Sequence, residues 1–293
     1  MTKKFNIIEP KQMAYWQKRI IIRDKKYVAD VNKIEKELKK QFVKSKKEIK
    51  KEIDAFYLNL PENTLTEGEK DRLEEVINAI NRELDRLFQK EEDLLTNAMI
   101  AKYEEAYGTA SKELNAILKT SFSEVPTRFV KEAISQNWSG TSFSKRIWEN
   151  HRYELAKAIK QELTAGLIRG SSIQDITRNI NKKFKKGEYN AFRLVRTEMS
   201  WVQNQATLDN YKDNGIEYYQ FMAFIDHRTS AVCKSRDGEV IAVKDGRAGS
   251  SLPPLRSGFI PTVEAVLFQF LTNKNKLYGS LRASFFNANK SKH

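Results

Sequence analysis

The sequence has a single cysteine, Cys233, and it lacks long apolar runs. One cysteine excludes an intrachain disulfide, and with it a secreted domain held together by disulfide bonds. The first residues lack the apolar segment of a signal peptide, and no stretch approaches the roughly 20 apolar residues of a membrane-spanning helix. We therefore expect a soluble protein made in the cytoplasm.

Sequence signatures of common enzymes are missing as well. There is no nucleophile elbow, no phosphate-cradling glycine loop and no His-Glu-x-x-His motif. One group of acidic and imidazole side chains offers the material for a metal-assisted hydrolase. Its members are Glu198, Asp226, His227, Asp237 and Glu239.

Structural roles explain the same residues more simply. Glu198 can pair with Arg196 or bond to a loop, and Asp226 can accept hydrogen bonds from the turn at residues 228–230. Asp237 followed by glycine is typical of a hairpin turn. We therefore expect no enzyme, no cofactor and no metal site. A metal-dependent nucleic-acid-processing or toxin-type enzyme is the alternative interpretation.

The 293 residues carry a net charge of +14, which is unevenly distributed. Residues 11–57 contain fifteen Lys or Arg and seven Asp or Glu, whereas residues 58–108 contain six and thirteen. Both stretches have an apolar stripe at helical spacing. The first stripe comprises Tyr27, Val31, Ile34, Leu38, Phe42, Ile49, Ile53 and Phe56, and the second Leu73, Val76, Ile80, Leu84, Leu87 and Phe88. With Pro61 between them, they predict an antiparallel helical hairpin.

The region after residue 190 joins a helix to a small β-element. Apolar residues recur at helical spacing at Phe192, Val195, Met199, Val202 and Ala206. Gly215 tolerates a left-handed φ and is expected to close this helix. Residues 218–225 predict a strand, residues 236–239 a turn, and residues 240–243 a second short strand, so we expect a hairpin-like unit.

Several motifs in fixed order resemble one family. They are W-S-G-x-S-F-S-x-R-I-W at residues 138–148, G-L-x-R-G-x-S at 166–172, A-x-R-L-V-R-T-E at 191–198, D-x-R-T-S-x-x-C-x-x-x-D-G at 226–238, and Pro253-Pro254. Together they resemble the phage Mu F-like family of head morphogenesis proteins, also called minor head or minor capsid proteins. Each motif alone is weak, but their shared order is specific.

The resemblance implies a mainly α (α+β) fold and three regions. Residues 1–120 are predicted to form a helical hairpin arm, residues 121–257 the Mu F-like domain, and residues 258–293 an atypical tail. The implied role of the motif residues is structural. These residues are Arg193, Arg196, Thr197, Glu198, Asn204, Asp226, Arg228, Thr229 and Cys233.

The resemblance also implies a function in procapsid assembly and head morphogenesis. Proteins of this family are minor components of tailed-phage heads, and some interact with the genome or leave with it. The implied partners are the portal protein, then scaffolding or major capsid protein, and phage DNA bound without sequence preference. The implied location is the virion or procapsid interior after assembly in the host cytoplasm, with no membrane involved.

Lysine clusters are candidates for DNA contact, because cations neutralise phosphates and release counterions. We interpret Lys44-Ser45-Lys46-Lys47 as the solvated face of a long helix. A second cluster is interrupted by Phe184 and is predicted in a glycine-bounded loop, which favours phosphate contact. The predicted DNA-binding residues are Lys182, Lys183, Lys185, Lys186 and Arg193. No helix-turn-helix, zinc finger or RNP signature indicates sequence-specific binding.

Aromatic and imidazole residues outside these clusters are given structural roles. Trp138, Trp148 and Trp201 lie in segments with helical apolar spacing, which predicts core anchors. His151 lies near a predicted helix start, where we expect a surface or capping role.

The sequence departs from the resembled family after Pro254. Relatives continue with H-x-x-C-R, which with the preceding cysteine could clamp the loop through a metal or a cysteine pair. Residues 255–262 contain neither His nor Cys, so no such site can form there. Substitution is one explanation. The other is that the chain from about Gly258 is an out-of-frame tail, because codons for residues 258–266 can be chosen whose shifted frame reads F-H-S-N-C-R-S-C.

Overall fold

The computed structural model describes residues 10–60, 67–118, 125–223 and 230–255. Its long helices are α1 (Pro10–Leu58), α2 (Glu67–Leu118) and α6 (Ile173–Asp213). The shorter ones are α3 (Thr127–Ser135), α4 (Phe143–Lys145), α5 (Tyr153–Ile168) and α7 (Ala231–Arg236). A π-helix spans Arg146–Arg152 and a 3₁₀ helix spans Val243–Asp245. Strands β1 (Tyr218–Gln220) and β2 (Val240–Ala242) form the sheet, so the predicted mainly α fold with a small β-element is confirmed.

The chain divides into two compact units, and α1, α2 and α6 each contribute to both. Unit 1 contains residues 1–29, 99–138 and 196–293, and unit 2 contains residues 30–98 and 139–195. The domain boundaries expected from the sequence remain a prediction. None of the helices in the described ranges is both long and apolar enough to cross a membrane.

In unit 1, ion pairs hold α1 against α2. The Glu113 carboxylate is 2% exposed and accepts from Arg19 at 2.9 Å and from Arg23. Lys26 lies 2.9 Å from Glu105 on the same two helices. Residue numbers rise along α1 as those of the contacting residues fall along α2. The two helices therefore run antiparallel here, as the hairpin prediction requires.

Two tyrosines join α2 to α6 within unit 1. The Tyr103 hydroxyl donates to Asp209 at 2.9 Å, and the Tyr107 hydroxyl donates to Asp213 at 2.7 Å. Burial raises the pKa of both tyrosines, and the neighbouring carboxylates raise it further. Both phenols therefore stay protonated and remain donors at neutral pH.

In unit 2, Phe42 of α1 lies at the centre of the helix packing. Its ring contacts the Phe88 ring of α2 and the Phe184 ring of α6 edge to face, at centroid distances of 6.2 and 6.5 Å. Helices α5 and α6 run antiparallel beside it, because a side chain at Gly187 would touch Leu155 while Asn179 donates to Glu162 at 2.7 Å. Edge-to-face contacts suit aromatic rings in a close-packed core.

The predicted apolar stripes of α1 and α2 form the core. Their residues are buried except for three that are half-buried, which are Ile34, Leu73 and Val76. Of the five residues predicted on the α6 stripe, Phe192 is half-buried, and the other four, Val195, Met199, Val202 and Ala206, are at most 1% exposed. Periodicity at about 3.6 residues therefore identified the buried faces correctly.

The end of α6 follows the expected glycine chemistry. Gly215 has φ 67°, and its N–H donates to the Lys212 carbonyl at 3.2 Å. The next N–H, of Ile216, donates back to the Tyr211 carbonyl at 2.9 Å. This pattern caps the last turn and directs the chain into β1.

The β-element is smaller than the sequence predicted. Strands β1 and β2 pair antiparallel, with Tyr219 opposite Ile241. The strand predicted over residues 218–225 ends at Gln220, and residues 224–225 lie outside the described ranges. The two strands pair antiparallel as the predicted hairpin-like unit requires, but helix α7, which the sequence did not predict, lies between them along the chain. Ser230 starts that helix because its Oγ accepts from the Cys233 N–H at 3.2 Å.

Candidate nucleic-acid interface and motif cluster

The A-x-R-L-V-R-T-E motif crosses the unit boundary on α6, with residues 191–195 in unit 2 and residues 196–198 in unit 1. Thr197 and Glu198 are 2% and 1% exposed, and Asn204 is 4% exposed. The Asn204 amide donates to the Ser200 carbonyl at 2.9 Å, and the Arg196 carbonyl accepts from the Tyr27 hydroxyl at 2.7 Å. The structural role expected for the motif remains a prediction.

Glu198 anchors a pair of stacked indoles. Its Oε2 accepts from Trp138 Nε1 at 3.0 Å, and the Trp138 and Trp201 rings stack at 5.7 Å with an interplanar angle of 7°. Gly249 completes the cluster, because a Cβ there would lie 2.7 Å from the Trp138 ring. One place in unit 1 therefore brings together Trp138 from the motif at residues 138–148, Glu198 from the α6 motif, and Gly249 from the loop before Pro253.

Cys233, from the motif at residues 226–238, lies on α7. The Cys233 thiol is buried at 7% exposure, and no disulfide partner exists in a chain with one cysteine. Asp226, Arg228 and Thr229, which we also predicted as motif residues, lie outside the described ranges. Within those ranges no cluster of three or more His, Cys, Asp or Glu is arranged to hold a metal ion.

The carboxylates of the alternative catalytic site have structural partners where they are described. Glu198 holds Trp138, as above, and the Asp237 carboxylate accepts from the Ala223 N–H at 2.8 Å. Glu239 pairs with Arg236 at 3.2 Å. The remaining members, Asp226 and His227, lie outside the described ranges.

The second lysine cluster lies inside α6, so its prediction as a loop is wrong. Phe184 is 3% exposed and packs on Phe42, which makes it a core residue and removes it as a stacking surface. Gly187 also lies in the helix, where an added Cβ would be 3.4 Å from the side chains of Leu155 and Phe42. The helix continues because glycine costs only about 1 kcal/mol there relative to alanine.

The four lysines themselves face solvent. Their side chains are exposed on either side of buried Phe184. Further along α6, Tyr189 is 60% exposed and Arg193 is half-buried. The Arg193 guanidinium lies 5.9 Å from the centre of the Tyr189 ring. The predicted cations thus occupy one stretch of α6 in unit 2, namely Lys182, Lys183, Lys185, Lys186 and Arg193.

The π-helix forms a contact set that the sequence did not predict. Trp148 Nε1 donates to Glu92 at 2.7 Å, and Arg152 Nε donates to Asp85 at 2.8 Å. His151 Nδ1 lies 3.3 Å from the fully buried Glu91. A surface role for His151 is therefore wrong, since its side chain is only 14% exposed.

Trp148, His151 and Arg152 are spaced i, i+3 and i+4, which would place them on one face of a regular α-helix as well. That spacing does not tell which helix the three side chains contact, so the pairing with α2 could not be predicted from it. Of the three predicted tryptophan anchors, Trp201 is buried, and Trp138 and Trp148 are half-buried with bonded indole nitrogens.

Residues 157–258 match the family model described as Phage Mu protein F like protein. The match covers about a third of the chain and contains every quoted motif except the tryptophan-bounded one at residues 138–148. It confirms the resemblance inferred from motif order and supports a phage head protein.

One curated relative is similar over a longer stretch. The NAD(+)--arginine ADP-ribosyltransferase EFV of Enterococcus faecalis (strain ATCC 700802 / V583) is 26% identical over 243 residues. The similarity covers 80% of this chain and 49% of the relative, so the chain spans about half the length of the curated relative it matches. The aligned stretch is longer than the segment from residue 157 to residue 293, so it also includes part of the N-terminal helices. No solved structure matches the chain significantly.

Proposed function

We propose that this chain, which is Mu F-like through residues 157–258, is a minor head protein that acts with the portal during procapsid assembly. The observation that carries the proposal is the ordered motif set, from which Trp138 and Glu198 meet beside Gly249 in unit 1. Residues brought together from three distant segments are typical of a domain that preserves a fold. The virion or procapsid interior is the proposed location.

Co-purification with the portal protein tests this partner. The chain is expressed together with the portal protein of the same phage, and the complex is isolated through a tag on the portal. We expect co-elution in a fixed ratio that persists in 0.5 M salt, because a specific interface depends on packing as well as charge. Co-elution that disappears on adding salt or nuclease would contradict a specific partner.

DNA contact through α6 is the second part of the proposal. Four exposed lysines within five residues, on a chain of net charge +14, provide a site for phosphates. The absence of a sequence-reading motif means that the contact is non-specific. Such contact suits a protein held close to a packaged genome.

Salt titration of DNA affinity tests the α6 site. Each phosphate contact contributes about 0.9 to the slope of log affinity against log salt on duplex DNA. Replacing the four α6 lysines with alanine should therefore lower the slope by about 3 to 4 and weaken binding. These lysines are Lys182, Lys183, Lys185 and Lys186.

A matched control removes the same charge from α1. The control variant replaces four exposed lysines of α1 with alanine, namely Lys36, Lys39, Lys44 and Lys47. We expect the control variant to keep nearly the wild-type slope. Equal losses in the two variants would show that only total charge matters, and would refute an α6 site.

An enzymatic function is the second candidate, favoured by the name of the Enterococcus relative. We propose that this chain is not itself an enzyme. The described carboxylates of the alternative site are engaged in hydrogen bonds or ion pairs, and the relative has as much sequence again outside the matched region.

Two assays test this proposal on the intact chain. One measures NAD consumption and arginine modification, and the other measures nicking of supercoiled DNA with divalent metal. We expect neither activity. Nicking that disappears in an Asp226→Ala variant would establish the metal-dependent alternative, and arginine modification would establish the transferase.

A further inference from the structure

Two exposed tyrosines lie beside the α6 lysines in unit 2. Tyr153, the first residue of α5, is 52% exposed, and Tyr189 on α6 is 60% exposed. Large aromatic side chains usually bury their rings, so two rings this exposed need a reason. Neither belongs to the motifs that identify the family segment.

Both tyrosines have the same local arrangement. Each is followed four residues later by a cation on the same helix, Lys157 after Tyr153 and Arg193 after Tyr189. The cations lie 5.7 and 5.9 Å from the respective ring centres. A cation over one face of each ring restricts the ring's motion and leaves a positive charge beside the aromatic surface.

The packing of α5 on α6 brings the two arrangements to the same level. Gly187 lies opposite Leu155, since a Cβ on Gly187 would be 3.4 Å from the Leu155 side chain. In an antiparallel pair, two residues further along α6 correspond to two residues back along α5. Tyr189 and Tyr153 are therefore level along the helix pair, and each lies about 200° of helical turn away from the Gly187–Leu155 contact, on the outer side of its own helix. Lys185 and Lys186 are within about one helical turn of Tyr189.

Acidic residues do not cancel this charge. Between the start of α5 and residue 195 the chain carries nine Lys or Arg against four Asp or Glu. Two of those carboxylates are already paired within the same unit, Glu162 with Arg169 at 3.8 Å and Asp175 with Arg178 at 3.0 Å. The surface is therefore both basic and aromatic.

We propose that Tyr153 and Tyr189 are a stacking platform for the bases of single-stranded DNA. The lysines at 182, 183, 185 and 186 then hold the phosphates of the same strand. This inference rests on the DNA contact proposed above for α6 and specifies which form of DNA is preferred. Its premise is a known physical pattern, since exposed aromatic rings beside a basic track bind single strands without reading sequence.

Duplex DNA engages only half of this surface. Its bases are stacked within the helix and present no face to a protein side chain, so a duplex contacts the lysines alone. An unpaired strand supplies phosphates to the lysines and base faces to the tyrosines. Single-stranded DNA is therefore bound more tightly than duplex at equal salt.

Three labelled ligands test the platform by fluorescence anisotropy with the whole chain. They are an oligothymidine, an abasic strand of equal length and charge, and a duplex. We expect the oligothymidine to bind about tenfold or more tightly than the abasic strand, because two stacked bases each strengthen binding several-fold. A Tyr153→Leu/Tyr189→Leu variant should lose this difference and keep the abasic and duplex affinities.

A third exposed tyrosine provides the matched control. Tyr218 on β1 is 40% exposed and belongs to unit 1. A Tyr218→Leu variant should keep the wild-type preference for oligothymidine. A Tyr153→Phe/Tyr189→Phe variant should keep it as well, because phenylalanine retains the ring.

The outcomes separate this inference from the function proposed above. Equal affinity of the wild-type chain for oligothymidine and the abasic strand overturns the platform and leaves phosphate contact standing. Binding of none of the three ligands at low salt overturns both proposals. If the leucine variant fails to fold, photocrosslinking of bromodeoxyuridine strands to the wild-type chain decides: crosslinks at Tyr153 or Tyr189 support the platform, and crosslinks confined to other residues overturn it.

Discussion

Gly249 faces the Trp138 ring at a distance that admits no side chain. A Cβ at this position would be 2.7 Å from Cε3 of the indole, and the backbone has φ 90°. The indole has little freedom to withdraw, because it is stacked on Trp201 and bonded to Glu198. Gly249→Ala should therefore lower the free energy of unfolding through both strain and overpacking.

Gly140 separates these two effects. It has a similar φ of 84°, but an added Cβ would meet no atom within 4 Å. Gly140→Ala should cost about 1 kcal/mol from backbone strain, and Gly249→Ala about 1–3 kcal/mol more from overpacking. Urea unfolding of both variants measures the difference. Equal costs would mean that the Trp138 contact is unimportant.

Glu113 is the residue on which the α1–α2 contact in unit 1 depends most. Its carboxylate is 2% exposed and accepts from both Arg19 and Arg23. Glu113→Gln keeps the shape but removes the charge, and should cost about 1.5–3 kcal/mol, the usual range for hydrogen bonds to charged groups. Thermal or urea unfolding measures this loss.

Glu48 is the control for charge removal on the surface. It pairs with Lys51 one turn away, and both side chains are largely solvated. Glu48→Gln should leave stability close to that of the wild type, because exposed pairs contribute little. A Glu113→Gln variant as stable as Glu48→Gln would contradict the importance of the buried pair.

Some residue roles could be read directly from the sequence, and others could not. Gly215 was predictable because a left-handed φ at a helix end favours glycine. Phe184 was misjudged because a phenylalanine among lysines looks the same in sequence whether it faces solvent or core. Only the partner helix decides, and Phe42 lies far away in the chain.

At the scale of elements, the π-helix against α2 makes stability depend on pH. Burial raises the pKa of Glu91 above its ordinary value of 4.5, and the hydrogen bond from His151 lowers it only in part. The unfolded chain therefore ionises first as the pH rises. The contribution of Glu91 to stability is present below about pH 4.5 and is lost as the pH rises toward its folded pKa.

A comparison of wild type with Glu91→Gln measures this loss. The unfolding free energy of the wild type relative to the variant should fall as the pH is raised from about 4.5, the unfolded pKa. In a His151→Leu background the fall should be larger, because leucine cannot donate the hydrogen bond that partly offsets burial. A difference that is constant with pH would contradict the account.

Elements with long-range periodicity were predicted well, and short ones were not. Helices α1, α2 and the second half of α6 follow apolar stripes that persist over many turns. The β-element itself was predicted, but the length of its first strand and helix α7 were missed, because elements of three to six residues leave too short a pattern to distinguish them. The π-helix has no sequence period of its own, so only the packing on α2 reveals it.

The tail provides a prediction at the scale of the whole molecule. The family match ends at residue 258, and residues 256–293 lie outside the described ranges. If the tail is out of frame, the gene reads F-H-S-N-C-R-S-C when translated from the last base of the Gly258 codon. Nucleotide sequencing checks this, and codons incompatible with that reading would leave substitution as the explanation.

The central claim is that this chain is a portal-linked minor head protein. Quantitative mass spectrometry of purified procapsids, assembled with and without the portal protein, tests it most directly. The account predicts a few copies per particle when the portal is present and none when it is absent. Absence from both kinds of particle would contradict the claim and favour a DNA-processing function.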